Sequence, residues 1–124
     1  MKSSTAAAAY KAGRFENAPP LKLVQLLYEG GLRFLEQAES AHSSGESARF
    51  QERCLRARSV VAELRCSLDP AQAPELAANL EAIYLFAEGE IGSAMQSESP
   101  APLAPVREVL TTLLDGWKRL EIAS

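Results

Sequence analysis

Between Glu46 and Leu68 the apolar residues return in a fixed rhythm. Phe50, Cys54, Ala57, Val61, Leu64 and Leu68 are separated by four, three, four, three and four positions. At about 100° per residue this spacing lines them along one stripe of a helix. Three other stretches show the same period, and short turn signals divide them. A helix with one apolar stripe must bury it, so four such helices in a small chain predict a bundle.

The first helix is expected to start at Pro19 or Pro20, since proline suits a first turn whose N–H groups have no intrahelical partner. Its apolar set is Leu23, Val24, Leu27, Tyr28, Phe34, Leu35 and Ala38, interrupted by Gly30-Gly31. Two helical glycines cost about 1 kcal/mol each against alanine. Either the helix breaks there or something packs closely on its backbone; the apolar spacing continues in phase beyond them, which favours close packing. Ser43-Ser44-Gly45 ends this helix, and Asp69-Pro70 ends the second.

The second helix carries Arg49, Arg53, Arg56, Arg58 and Arg65 on its outer side. These form either a solvated charged face or a docking face for an acidic partner. The third helix begins near Pro74-Glu75, with an expected buried stripe of Leu76, Leu80, Ile83, Ala87, Ile91 and Ala94. Tyr84, Leu85 and Phe86 add apolar surface beyond that stripe, so this helix is either central or faces a second apolar partner.

Ser97 to Pro105 holds three prolines and reads as a stiff connector that can include the first turn of the fourth helix. Val106, Leu110, Leu113, Trp117 and Leu120 then follow a 4-3-4-3 spacing, widened by Val109 and Leu114, with Trp117 as an expected core anchor. Residues 1–18 lack periodicity and read as a mobile arm carrying Tyr10 and Phe15. The expected fold is therefore all-α: an antiparallel up-down four-helix bundle over residues 19–124, with a short N-terminal arm or helix. Short connectors make successive helices antiparallel neighbours.

Composition narrows the functional classes. The chain has 124 residues, 47% of them hydrophobic, which suits one domain with one core. A net charge of −3 argues against a general nucleic-acid binder, which needs surplus positive charge. Cys54 and Cys66 lie roughly 18 Å apart on a continuous helix, too far for a disulfide, so reduced thiols in a cytosolic protein are expected. No apolar run is long enough to insert in a membrane, and the first residues lack the character of a signal peptide.

Catalytic and cofactor patterns are missing. His42 is the only histidine, there is no CxxC, no Glu-x-x-His and no phosphate-binding glycine loop. Met95 is far along the chain from His42, a poor start for haem ligation. Glu88 and Glu90 look solvated on adjacent helical faces. No enzyme and no cofactor are expected, which leaves surface recognition.

Three blocks occur in order. Pro20 to Ala38 includes Leu27-Tyr28-Glu29-Gly30; Leu76 to Tyr84 includes Asn79-Leu80 and Tyr84; Val109 to Lys118 ends in Trp117-Lys118. Together with Tyr10 these resemble the signature regions of FliS, the flagellar secretion chaperone family, over about residues 6 to 121. The chain differs where the family usually places a capping serine (here Pro19), an aliphatic residue before the arm tyrosine (here Ala7), and basic residues after the tyrosine of the third helix (here Glu88 and Glu90).

The resemblance implies a helical bundle in the bacterial cytosol. It would hold the disordered C-terminal segment of flagellin, prevent premature polymerisation and assist delivery to the flagellar type III export apparatus. It also implies contacts with the export-gate protein FlhA and with flagellar regulators. An amphipathic tail would lie in a groove between helices, whose expected walls are Leu27, Tyr28 and Leu32, then Tyr84, Leu85 and Phe86, then Leu110 and Leu114. Tyr10 and Phe15 are expected either to cover that groove as a lid, or to meet the export gate, or simply to cap one bundle end. The competing expectation is a structural bundle that self-associates through the same surplus apolar face, without a flagellin client.

Overall fold

The computed structural model describes residues 20–123, with side chains for 21–120. Tyr10, Phe15 and the rest of the expected arm lie outside the described residues. The described residues form four helices: α1 (Pro20–Ser43), α2 (Ser47–Cys66), α3 (Pro74–Ser97) and α4 (Leu103–Ala123). No strand occurs among the described residues, so the all-α expectation holds.

Local chemistry sets the helix ends. Gly45 stops α1 in the left-handed region at φ 73°. The Gly45 N–H donates to His42 O at 3.0 Å and the Glu46 N–H to Ala41 O at 2.9 Å, the paired bonds of a Schellman stop. After α2 the Asp69 carboxylate accepts from the Ala71 N–H at 3.1 Å, turning the chain before Pro74 opens α3. The α3 terminus uses Glu98 in the left-handed region at φ 51°, with Ser99 N–H donating back to Ala94 O. A side chain there costs about 1–2 kcal/mol relative to glycine.

The second-helix stripe is buried as expected: Phe50, Cys54, Ala57, Val61 and Leu64 are in the core, and Leu68 packs against it. From α1 come Tyr28, Leu35, Ala38 and Ala41, and from α4 Leu103, Val106, Leu110 and Leu114. Leu103 falls inside α4, so the helix begins before Val106, with Pro105 accommodated in its first turn. Leu120, expected on the stripe, is exposed beyond the end of the core.

On α3 four of the six expected stripe residues are buried, and two positions differ by one residue. The buried stripe is Ala77, Leu80, Tyr84, Ala87, Ile91 and Ala94, while Leu76 is half exposed and Ile83 partly exposed. Nearly the whole N-terminal half of α3 is apolar, so hydropathy alone does not choose between the two stripes. The choice comes from Tyr84, whose hydroxyl finds a partner on α1 inside the bundle.

The helices pack as a ring of sequential neighbours. The α1/α2 seam is the most extensive, α2/α3 and α1/α4 follow, and α3/α4 is the sparsest. Gly31 lies against Val60 of α2, where an added Cβ would sit 3.3 Å from Val60 Cγ1. Helix α1 is unbroken through the glycine pair, so close packing is the reason for Gly31. Gly30 has open space around the same position.

Candidate functional site

Two features leave apolar surface open to solvent. The first is apolar surface on α3: Leu85 and Phe86 are 50% and 48% exposed, and Leu76 is 50% exposed. The second is an open cavity of about 220 Å³ at the end of the bundle where α1 begins and α4 finishes. Val24, Leu68, Leu76, Leu80, Tyr84 and Trp117 form most of its apolar wall, and among the described residues Asp69 is the only charged one lining it.

Behind the cavity lies a small polar cluster. The Tyr28 and Tyr84 hydroxyls are hydrogen-bonded at 2.6 Å across the bundle, with their rings edge-on at 6.3 Å. Burial pushes both phenols above their ordinary range. The Trp117 indole Nε1 is shielded from solvent without a hydrogen-bond partner among the described residues. Its N–H falls short of a proper bond to Tyr28, yet it still eases ionisation of that phenol against the larger push of burial.

The expected groove residues divide between inside and outside. Tyr28, Tyr84, Leu110 and Leu114 belong to the core, and of these Tyr84 alone also forms part of the cavity wall. Leu27 and Leu32 are partly buried against that core. Leu85 and Phe86 stand free on α3. Val24, Leu68, Leu76 and Trp117, which line the cavity, were not among the expected groove residues. Leu76 and Trp117 were visible in the sequence as apolar but were assigned to the core. Only the position of the α2–α3 turn brings Leu68 and Leu76 to face Val24.

The arginines of α2 are largely compensated by neighbouring carboxylates. Arg53 and Arg56 both bond Glu52, and hydrogen bonding to Arg53 above all holds that carboxyl below its ordinary range. Arg65 makes a two-point bond to Glu88 of α3 at 2.6 and 3.2 Å. Arg53 also lies over the Phe34 ring at 5.2 Å and donates to Gln37 of α1. Arg53 and Arg65 therefore tie α2 to α1 and α3, while Arg56 pairs within α2.

At the other end of the bundle His42, Ser47 and Glu98 meet. The Ser47 hydroxyl donates to the Glu98 carboxylate at 2.9 Å, and His42 Nε2 lies 3.2 Å from Glu98 O. This corner joins the α1–α2 turn to the α3 terminus and explains a glutamate in a left-handed position. No group of three or more His, Cys, Asp or Glu suited to a metal occurs among the described residues. No described helix is long and apolar enough to cross a membrane.

The family model for the flagellar protein FliS matches residues 2–124. The chain belongs to the FliS family. A flagellar secretion chaperone FliS of Bacillus subtilis is 28% identical over 111 residues, covering 90% of this chain and 82% of that protein. One of Vibrio cholerae is 28% identical over 103 residues, covering 83% and 76%. The flagellar secretion chaperone FliSB of Pseudomonas aeruginosa is 32% identical over 104 residues, covering 82% and 80%. Among the residues that carried the resemblance, Tyr28 and Tyr84 meet in the core, and Trp117 packs against that core beside Tyr28.

Proposed function

We propose that this chain is a flagellar export chaperone that acts in the bacterial cytosol without catalysis. It holds the disordered C-terminal segment of flagellin, keeps it from polymerising and assists its delivery to the type III export apparatus. Family membership supports the class of function. The observation that carries the binding mode is the surplus apolar surface of α3, where Leu76, Leu85 and Phe86 are left about half in water. A client that is unfolded when free loses chain entropy on binding, so a long apolar contact is needed to offset it.

Titration calorimetry with the C-terminal flagellin segment tests this reading. A stoichiometric complex with a negative heat-capacity change is expected, because apolar surface leaves water. No binding at tens of micromolar, roughly 6 kcal/mol of affinity, defeats it. Concentration-dependent sedimentation in the absence of flagellin would instead identify the α3 face as a contact between copies of this chain.

A further inference from the structure

The polar cluster behind the α1/α4-end cavity contains more hydrogen-bond donors than it uses. Tyr28 O–H, Tyr84 O–H and Trp117 N–H are three donors, and only one of them is taken up, by the bond between the two hydroxyls. Even when the indole N–H is turned onto the Tyr28 oxygen, one hydroxyl proton remains without an acceptor within this cluster of described residues. Buried donors are normally paired. Tyr84 and Trp117 both line the cavity, whereas Tyr28 lies fully behind it.

We propose that this cavity receives an apolar group bearing one uncharged hydrogen-bond acceptor, the oxygen of an amide or ketone carbonyl, and that the Tyr84 hydroxyl donates to it. The apolar wall from Val24, Leu68, Leu76 and Leu80 holds the hydrocarbon part. An anion is disfavoured, because among the described residues no lysine or arginine lines the cavity and Asp69 stands at it. A cationic group gains nothing from surplus donors. On the reading that this end of the bundle takes the unfolded client, the natural occupant is a main-chain carbonyl flanked by aliphatic side chains. The site would then select where along the client the chain is anchored, through one directed bond within an otherwise undirected apolar contact.

Two small probes separate this from simple cavity filling. Cyclopentanone and cyclopentane have similar shape and differ by the carbonyl. Their affinities for the full chain are read from the indole N–H resonance, which is unambiguous because Trp117 is the sole tryptophan. The ratio of ketone to hydrocarbon affinity is compared across the wild type, Tyr84→Phe and Tyr28→Phe. Tyr84→Phe is expected to lower the ratio by about five-fold, the worth of one ordinary hydrogen bond. Tyr28→Phe should keep or raise it, since the Tyr84 proton then has no competing acceptor.

An unchanged ratio in Tyr84→Phe overturns the proposal, as does failure of both probes to bind the wild type. Should Tyr84→Phe fail to fold, the comparison of Tyr28→Phe with the wild type decides, and a fall in the ratio is the overturning result. Binding of the flagellin segment is measured alongside. Intact client binding with a flat ratio sinks only this inference. Absent client binding with the expected ratios sinks the chaperone reading and leaves the carbonyl site standing.

Discussion

Gly30 and Gly31 are adjacent in sequence and differ in surroundings, so alanine at each position isolates one physical effect. At Gly30 a new Cβ meets nothing within 4 Å. Only helix propensity changes, and Gly30→Ala should stabilise the fold by about 1 kcal/mol. In a domain of this size that raises the melting temperature by about 4 °C. At Gly31 the same gain is opposed by Val60, whose Cγ1 would stand 3.3 Å and Cβ 3.7 Å from the new methyl. Val60 is β-branched and has little rotamer freedom in a helix, so α1 and α2 must part slightly. Overpacking of this kind costs about 1–3 kcal/mol, which makes Gly31→Ala neutral to destabilising by about 2 kcal/mol. Urea denaturation followed by helical circular dichroism measures both variants. The Val60→Ala background supplies the control, since Gly31→Ala should recover most of its propensity gain there. That recovery is a coupling of about 1 kcal/mol or more between two touching sites. Equal stabilisation by Gly30→Ala and Gly31→Ala would refute the claim that Gly31 exists for close approach.

Three further outcomes are expected. Phe86→Ser combined with Leu85→Ser should weaken flagellin-segment binding at least ten-fold in calorimetry while changing stability by less than about 0.5 kcal/mol, because both side chains are half in water. Burial pushes the Cys54 thiol up to about 11 from an ordinary value of 9.0. The folded state therefore keeps its proton while the unfolded state loses it, so about 2–3 kcal/mol of stability present below pH 9 should fade as pH rises through about 11. The raised Tyr28 and Tyr84 phenols add a further loss in the same direction above pH 10, and denaturant midpoints in Cys54→Ala should show a flatter slope between pH 9 and 10. Glu88→Ala should cost about 1 kcal/mol, since it leaves Arg65 without its two-point partner between α2 and α3. Most of that loss should disappear in a comparison of Arg65→Ala with the double variant.

The second helix was legible because its pattern is unambiguous: one apolar stripe, polar elsewhere, and a proline stop. Helix α1 was legible for the same reason, with Pro20 at its start and Gly45 past its end. The α3 stripe was read correctly at Leu80, Ala87, Ile91 and Ala94 and missed by one residue at Leu76 and Ile83, because Ala77 and Tyr84 carry less hydropathy signal than those neighbours. Tyr84 is buried only because Tyr28, separated from it by 56 positions in the chain, brings a hydroxyl to meet it. The cavity escaped for a related reason. Its wall is assembled from the start of α1, the α2–α3 turn and the end of α4, and no local pattern records that meeting. The α3 face at Leu85 and Phe86 was visible as surplus, since more apolar residues occupy that helix than one stripe can hold.

The Glu98 corner has a consequence for how the molecule tolerates strain. Glu98 holds a backbone conformation that favours glycine, yet its carboxylate and carbonyl latch the α1–α2 turn to the last residue pair of α3. The bundle is thus clasped at this end and left open at the other, where the cavity lies.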